Sequence, residues 1–154
     1  MIVKKGIFIT LEGGEGTGKT TQIHKLEESL KARGIAVVTT REPGGTSQSE
    51  KIRGLLVQRE GGHWEPLSEA LLLFAARREH LVKKIWPALN EGKWVISDRF
   101  ADSTRAFQGY GMGLPLETIE ELYKITVGDF RPDLTFMLDV PVETGLARSA
   151  IKLG

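Results

Sequence analysis

The run Gly13-Gly14-Glu15-Gly16-Thr17-Gly18-Lys19-Thr20 fits the spacing GxxxxGK[ST], and the chemistry of those residue types is the holding of a nucleoside triphosphate. Glycines let backbone N–H groups turn inward around phosphate oxygens, and a helix starting at the end of the run adds a partial positive charge. Lys19 would reach the β- and γ-phosphates, and the Thr20 hydroxyl would hold Mg²⁺. Three further segments extend that chemistry. In Ser97-Asp98-Arg99-Phe100, Asp98 is placed to organise the hydration shell of Mg²⁺ and Arg99 to face a transferring phosphoryl group. In Arg41-Glu42-Pro43-Gly44-Gly45-Thr46 and the following Arg53, an arginine supplies a two-pronged fork for a phosphate the first loop does not hold. In Phe74-Ala75-Ala76-Arg77-Arg78, with Phe107-Gln108, an aromatic and an arginine one helical turn apart could stack a base and bond its carbonyl edge. Helical periodicity by itself also fits Phe74 to a core.

These residues need a scaffold, and the apolar patterning supplies one. Strand signals at Ile7 to Leu11, Ile35 to Thr40, Trp94 to Ser97 and Leu134 to Leu138 alternate with helical segments at Thr20 to Arg33, Ser49 to Val57, Leu67 to Asn90 and Leu116 to Val127. Alternating β and α units predict a parallel sheet flanked by helices. Leu67 to Asn90 is apolar over much of its circumference, as a central helix would be, and Pro87 should bend it or end it early. Two polar stretches, Glu42 to Gln48 and Asp102 to Gly113, read as loops at the carboxyl ends of strands, where ligands bind in such sheets.

Composition bounds the partners. A chain of 154 residues is one domain with one core, and a net charge of +1 gives no basic field for polymeric nucleic acid. No cysteine is present, so disulfides and thiolate metal sites are excluded. His24, His63 and His80 lie far apart, without the spacing of a transition-metal site. Met1-Ile2-Val3-Lys4-Lys5-Gly6 leads straight into the first strand, and no apolar run is long enough to cross a membrane, so a cytoplasmic enzyme without a membrane partner is expected.

The segments GGEGTGKTT, REPGGT, IRGLL, LLLFAARREHL, SDRFADSTRAFQG and GDFRPDLTFMLDV, in that order, resemble bacterial thymidylate kinase from Gly6 to Arg148. The resemblance implies a P-loop NTPase three-layer α/β fold and transfer of the γ-phosphoryl group of ATP to dTMP, giving ADP and dTDP. It also implies Mg²⁺ as cofactor, ATP and dTMP as the small-molecule partners, and a homodimer. Carried onto this chain, it makes Lys19, Arg99, Asp98 and Glu15 the catalytic set. Gly13, Gly14, Glu15, Gly16, Thr17, Gly18, Lys19, Thr20 and Thr21 form the ATP site, and Thr20 and Asp98 the metal site, partly through water. The dTMP site falls on Glu15, Glu42, Pro43, Arg53, Arg99, Ser103, Thr104, Phe107 and Gln108, with either Leu73 and Arg77 or Phe74 and Arg78 facing the base. Within it, Arg53 and Arg99 clamp the phosphate, Glu15 reaches the sugar 3′-hydroxyl, and Phe107 crowds the 2′ position.

The chain departs from the family pattern in two places. Gly16 stands where some members carry an arginine, and Gly145-Leu146-Ala147-Arg148 matches the helix that precedes the arginine-bearing lid of the others. Lid, fifth strand and closing helices do not follow within residues 1–154, so a single, C-terminally incomplete kinase domain is expected, binding nucleotides better than it turns them over. On the residues alone, a kinase for another deoxynucleotide or nucleoside and a non-catalytic nucleotide-binding remnant stay open. A regulatory GTPase is disfavoured by the lack of an NKxD-type guanine motif.

Overall fold

The computed structural model describes residues 5–58 and 62–153. The expected lead-in at Met1 to Lys4 and the final Gly154 lie outside the described residues. Four parallel strands form one sheet in the order β2-β3-β1-β4: β1 (Phe8–Glu12), β2 (Val37–Arg41), β3 (Trp94–Asp98) and β4 (Leu134–Met137). Phe8 lies opposite Val95, Ile9 opposite Leu134 and Val37 opposite Trp94, so all four carboxyl ends open on one edge of the sheet.

Strand alternation sorts two apolar layers onto the two faces. Ile9 and Leu11 pack with Ile23, Leu30 and Ile96 on one face, beneath α1 (Lys19–Ala32). Phe8 points the other way, into a larger cluster with Phe74, Leu81, Ile85, Leu89, Phe100, Ile119 and Tyr123. That cluster is roofed by α3 (Pro66–His80), α4 (Trp86–Asn90), α5 (Ala101–Thr104) and α6 (Leu116–Thr126). The remaining helices are α2 (Ser47–Val57), capped by Thr46 Oγ1 accepting from Ser49 N, and α7 (Val142–Leu153), which the sequence patterning left unplaced.

One expectation is narrowed and one corrected. Of the two outcomes expected of Pro87, a bend or an early end, the early end does not occur: a π-helical stretch at Leu81–Ile85 joins α3 to α4. The Trp86 N–H bonds back to Leu81 O, so the chain widens just before the residue that lacks a donor and runs on. The supposed loop Asp102 to Gly113 is helical over most of its length, α5 passing into a π-helical stretch at Arg105–Gly111. Its polarity reads as a loop, but Gly109 is where the stretch presses on Leu116 and Ile119 of α6, and packing overrides local sequence character.

Candidate active site

The phosphate loop lies between β1 and α1, and its glycines hold conformations other residues resist. Gly16 has φ of 70°, and a Cβ there would stand 2.1 Å from the Gly145 carbonyl oxygen on α7. Gly18, at φ 94°, caps α1 without a side-chain bond, so the helix presents its free N–H groups to the loop. Lys19 is buried and curls back over the loop, donating from Nζ to Gly13 O at 3.0 Å and Gly14 O at 2.8 Å. Burial, reinforced by the nearby Arg99 cation, pushes its pKa down. Lys19, Thr20, Thr21, Asp98, Arg53 and Arg99 share a cavity of about 220 Å³ at this loop. Asp98 Oδ1 is buried without a hydrogen-bond partner, and burial raises the pKa of the carboxyl against the pull of Lys19 and Arg99. Asp98 and Thr20 line the same cavity, and a carboxylate with an unsatisfied oxygen together with a threonine hydroxyl is a donor set that fits a hard divalent cation.

Arg99 follows β3 at φ 72°, the positive φ of a non-glycine residue among the described residues, a conformation that costs about 1–3 kcal/mol and needs surroundings that enforce it. Here its N–H bonds Leu11 O at 2.9 Å and its carbonyl accepts from Ser97 Oγ at 2.8 Å. The guanidinium then donates to Ser103 Oγ at 3.0 Å and to Glu15 Oε1 at 3.0 Å, and lies over the Phe107 ring. Behind it, Glu12 at the end of β1 is buried and accepts from Phe100 N at 2.7 Å and Ser103 Oγ at 2.6 Å. Burial raises the Glu12 pKa despite those two bonds.

A second cavity of about 590 Å³ adjoins the first, and Glu15, Glu42 and Arg99 line both. Its walls include Pro43, Leu73, Arg77, Ser103, Thr104, Phe107 and Gln108, all expected at the acceptor site. Arg77 is buried, donating from Nε to Glu42 Oε2 at 2.7 Å and from Nη2 to Thr104 Oγ1 at 3.1 Å, while Nη1 has no partner. Burial alone would push the Glu42 carboxyl up, but Arg77 and His80 together hold it below its ordinary range.

The alternative pair is corrected. Phe74 is sunk in the core, under the Arg77 guanidinium at 4.8 Å, and Arg78 turns away, bonding Thr126 O and lying over Trp86. A shift of one residue rotates a side chain about 100° around the helix, which is enough to swap cavity for core. Arg53 bonds Pro43 O at 2.9 Å and lines the phosphate-loop cavity rather than the larger one.

Three polar residues of the site escaped the sequence reading: Glu12, Glu69 and His80. Glu69 lines the larger cavity and accepts from Gln108 Nε2 at 2.7 Å. His80 bonds Glu42 and Thr40. Spacing carried a signal for two of them, because 69, 73, 77 and 80 recur on one helical face. For Glu12 the signal was a charged residue closing a strand buried at every position.

A protein-family model described as thymidylate kinase matches residues 11–152. A thymidylate kinase of Alkalilimnicola ehrlichii is 56% identical over 146 residues, which are 95% of this chain and 67% of that protein. A thymidylate kinase of Pseudomonas fluorescens is 53% identical over 147 residues, 96% of this chain and 70% of that protein. The crystal structure of thymidylate kinase from Ehrlichia chaffeensis superposes with a TM-score of 0.81 at 45% identity, covering 96% of this chain and 84% of that one.

Proposed function

The chain belongs to the thymidylate kinase family, and on that premise we propose that its two joined cavities bring the γ-phosphate of ATP in the smaller one against the phosphate of dTMP in the larger. The chain is thus a phosphotransferase acting on dTMP, a thymidylate kinase. The observation that carries the residue assignment is the shared wall. Arg99 and Glu15 border both cavities, so one arginine reaches the point where donor and acceptor oxygens meet.

In the reaction a dTMP phosphate oxygen bonds the γ-phosphorus of ATP as the bond to the β,γ-bridging oxygen breaks, leaving ADP. An anionic phosphate is already a competent acceptor, so the work of the protein is to hold the groups in line and to stabilise spread negative charge. Lys19 and the α1 N-terminus hold the β- and γ-phosphates, and Arg99 neutralises charge on the group in flight. Arg53 holds the acceptor phosphate from the loop side. Arg77 offers its guanidinium to a thymine carbonyl, with Thr104 and Gln108 at the neighbouring edge and Leu73 and Phe107 as apolar walls. Thr20 and the orphaned Asp98 oxygen are the residues that would hold Mg²⁺, which when bound neutralises charge on the β- and γ-phosphates. A homodimeric, cytoplasmic enzyme is proposed with this reading, on the family resemblance. Among the described residues no helix is long and apolar enough to cross a membrane.

The test is a direct one. Formation of dTDP and ADP from dTMP and ATP, with dCMP and dGMP as competing acceptors, is expected to favour dTMP. Equal use of all three would overturn the assignment of the larger cavity.

A further inference from the structure

We propose that His80 is a positioning residue for base recognition, holding Glu42 so that the Arg77 guanidinium keeps its place on the wall of the acceptor cavity. This rests on the larger cavity being the dTMP site. His80 is fully buried and cannot touch a substrate, yet both ring nitrogens are engaged. Nδ1 meets Glu42 Oε1 at 3.1 Å and Nε2 meets Thr40 Oγ1 at 2.6 Å. A carboxylate only accepts, so Nδ1 carries a hydrogen toward Glu42, and the Thr40 hydroxyl, able to donate or accept, pairs with Nε2. The ring cannot slide away, because Gly45 closes on it: a Cβ there would stand 2.5 Å from His80 Nε2 and 2.6 Å from Thr40 Oγ1.

The consequence falls on Arg77. A carboxylate free at both oxygens closes a two-bond fork on an arginine edge, the favoured geometry of the pair. Glu42 does not do this. Its Oε1 is occupied by His80, so it bonds Nε of Arg77 alone through Oε2, and Nη2 stays with Thr104 Oγ1. The chain Thr40–His80–Glu42–Arg77–Thr104 thereby fixes the guanidinium plane from β2 through α3 to α5, at a residue that lines the cavity. With His80 replaced by an apolar residue, Glu42 is free to turn, compete with Thr104 for Nη2 and draw the guanidinium out of register with the base.

The experiment is calorimetric titration, up to millimolar dTMP, of the parent chain and of His80→Leu, His80→Asn, Arg77→Ala and the His80→Leu/Arg77→Ala double variant. A non-hydrolysable ATP analogue is titrated in parallel. His80→Leu is expected to weaken dTMP by about tenfold or more while the ATP analogue stays within about twofold. His80→Asn, which keeps a donor near the Nδ1 position, is expected to recover most of that loss. In the Arg77→Ala background His80→Leu should cost nothing further, since its effect passes through Arg77. Additive losses, an equal loss of both ligands, or no loss of dTMP would each overturn the proposal. If His80→Leu does not fold, Thr40→Val frees the far side of the ring and carries the same expectation, a loss confined to dTMP. A parent chain that binds the ATP analogue but no dTMP would overturn the proposed function, and this inference with it.

Discussion

Arg99 Nη2 donates to Glu15 Oε1 at 3.0 Å, joining the left-handed residue after β3 to the tip of the phosphate loop after β1. The bond joins two residues that line both cavities, and the residue on its cationic side holds a positive φ that its backbone bonds to Leu11 and Ser97 keep in place.

Replacing Arg99 by glycine separates strain from chemistry. Glycine accepts φ of 72° without penalty, which offsets the lost side-chain bonds, so the Tm of Arg99→Gly should stay within a few degrees of the parent. Turnover should fall by about 10³-fold, because the group that neutralises the moving phosphoryl is gone. Parallel Tm and single-turnover measurements decide it, and retained turnover contradicts the role.

Glu69 sets the polarity of Gln108. Accepting from Nε2 leaves the amide oxygen of Gln108 as an acceptor at the cavity, matching the N3–H of thymine and not the bare N3 of cytosine. Glu69→Gln lets the amide face either way, and the preference for dTMP over dCMP should narrow by about tenfold. An unchanged ratio of kcat/KM values would count against it.

Acid and base should unsettle the fold through different glutamates. The Glu42 pKa lies below its ordinary value, so its contribution is complete above about pH 4.5 and is lost as pH falls through the depressed value. The Glu12 pKa lies above its ordinary value, so its contribution is complete below about pH 4.5 and is lost as pH rises through the raised value. Tm measured against pH should therefore flatten on the acid side in Glu42→Gln and on the neutral side in Glu12→Gln. The reverse pattern would show that the two environments have been exchanged.

Gly16 and Gly34 share a positive φ but differ in their surroundings. A Cβ at Gly34 meets nothing within 4 Å, whereas one at Gly16 runs into the backbone of Gly145. Gly34→Ala should lower Tm by roughly 2–6 °C from conformational strain alone. Gly16→Ala should lower it further and also weaken an ATP analogue, since loop and α7 must separate. Differential scanning fluorimetry with and without the analogue distinguishes the two.

Thr20→Ala and Asp98→Asn test the metal assignment. Each should abolish the extra stabilisation that Mg²⁺ adds to an ATP analogue, while the stabilisation by the analogue alone persists. A full Mg²⁺ effect in both variants would place the cation elsewhere.

Legibility followed distance along the chain. The phosphate loop, its strand and its helix are contiguous, and the chemistry of each position is stated by residue type, so Gly13 to Thr20 could be assigned before any packing was known. Asp98 and Arg99 were legible for the same reason, at the end of a strand that alternation required to be parallel. The segment after them was not, because its polarity reads locally as a loop while Leu116 and Ile119 supply the packing against which the stretch is helical.

The chain's residue types and order determined that a nucleotide kinase site exists here, built on a parallel sheet with flanking helices, and which segments must contribute to it. The tertiary structure alone decided which side of a helix faces the ligand. Leu73 and Arg77 took the cavity while Phe74 and Arg78 took core and surface, and Glu12, remote in sequence from Arg99, and Glu42, remote in sequence from Arg77, were brought behind those arginines. The reason is rotational: neighbouring helical residues differ by about 100° in direction, so only the sheet packed against α3 fixes which of them is buried and which is free to bind.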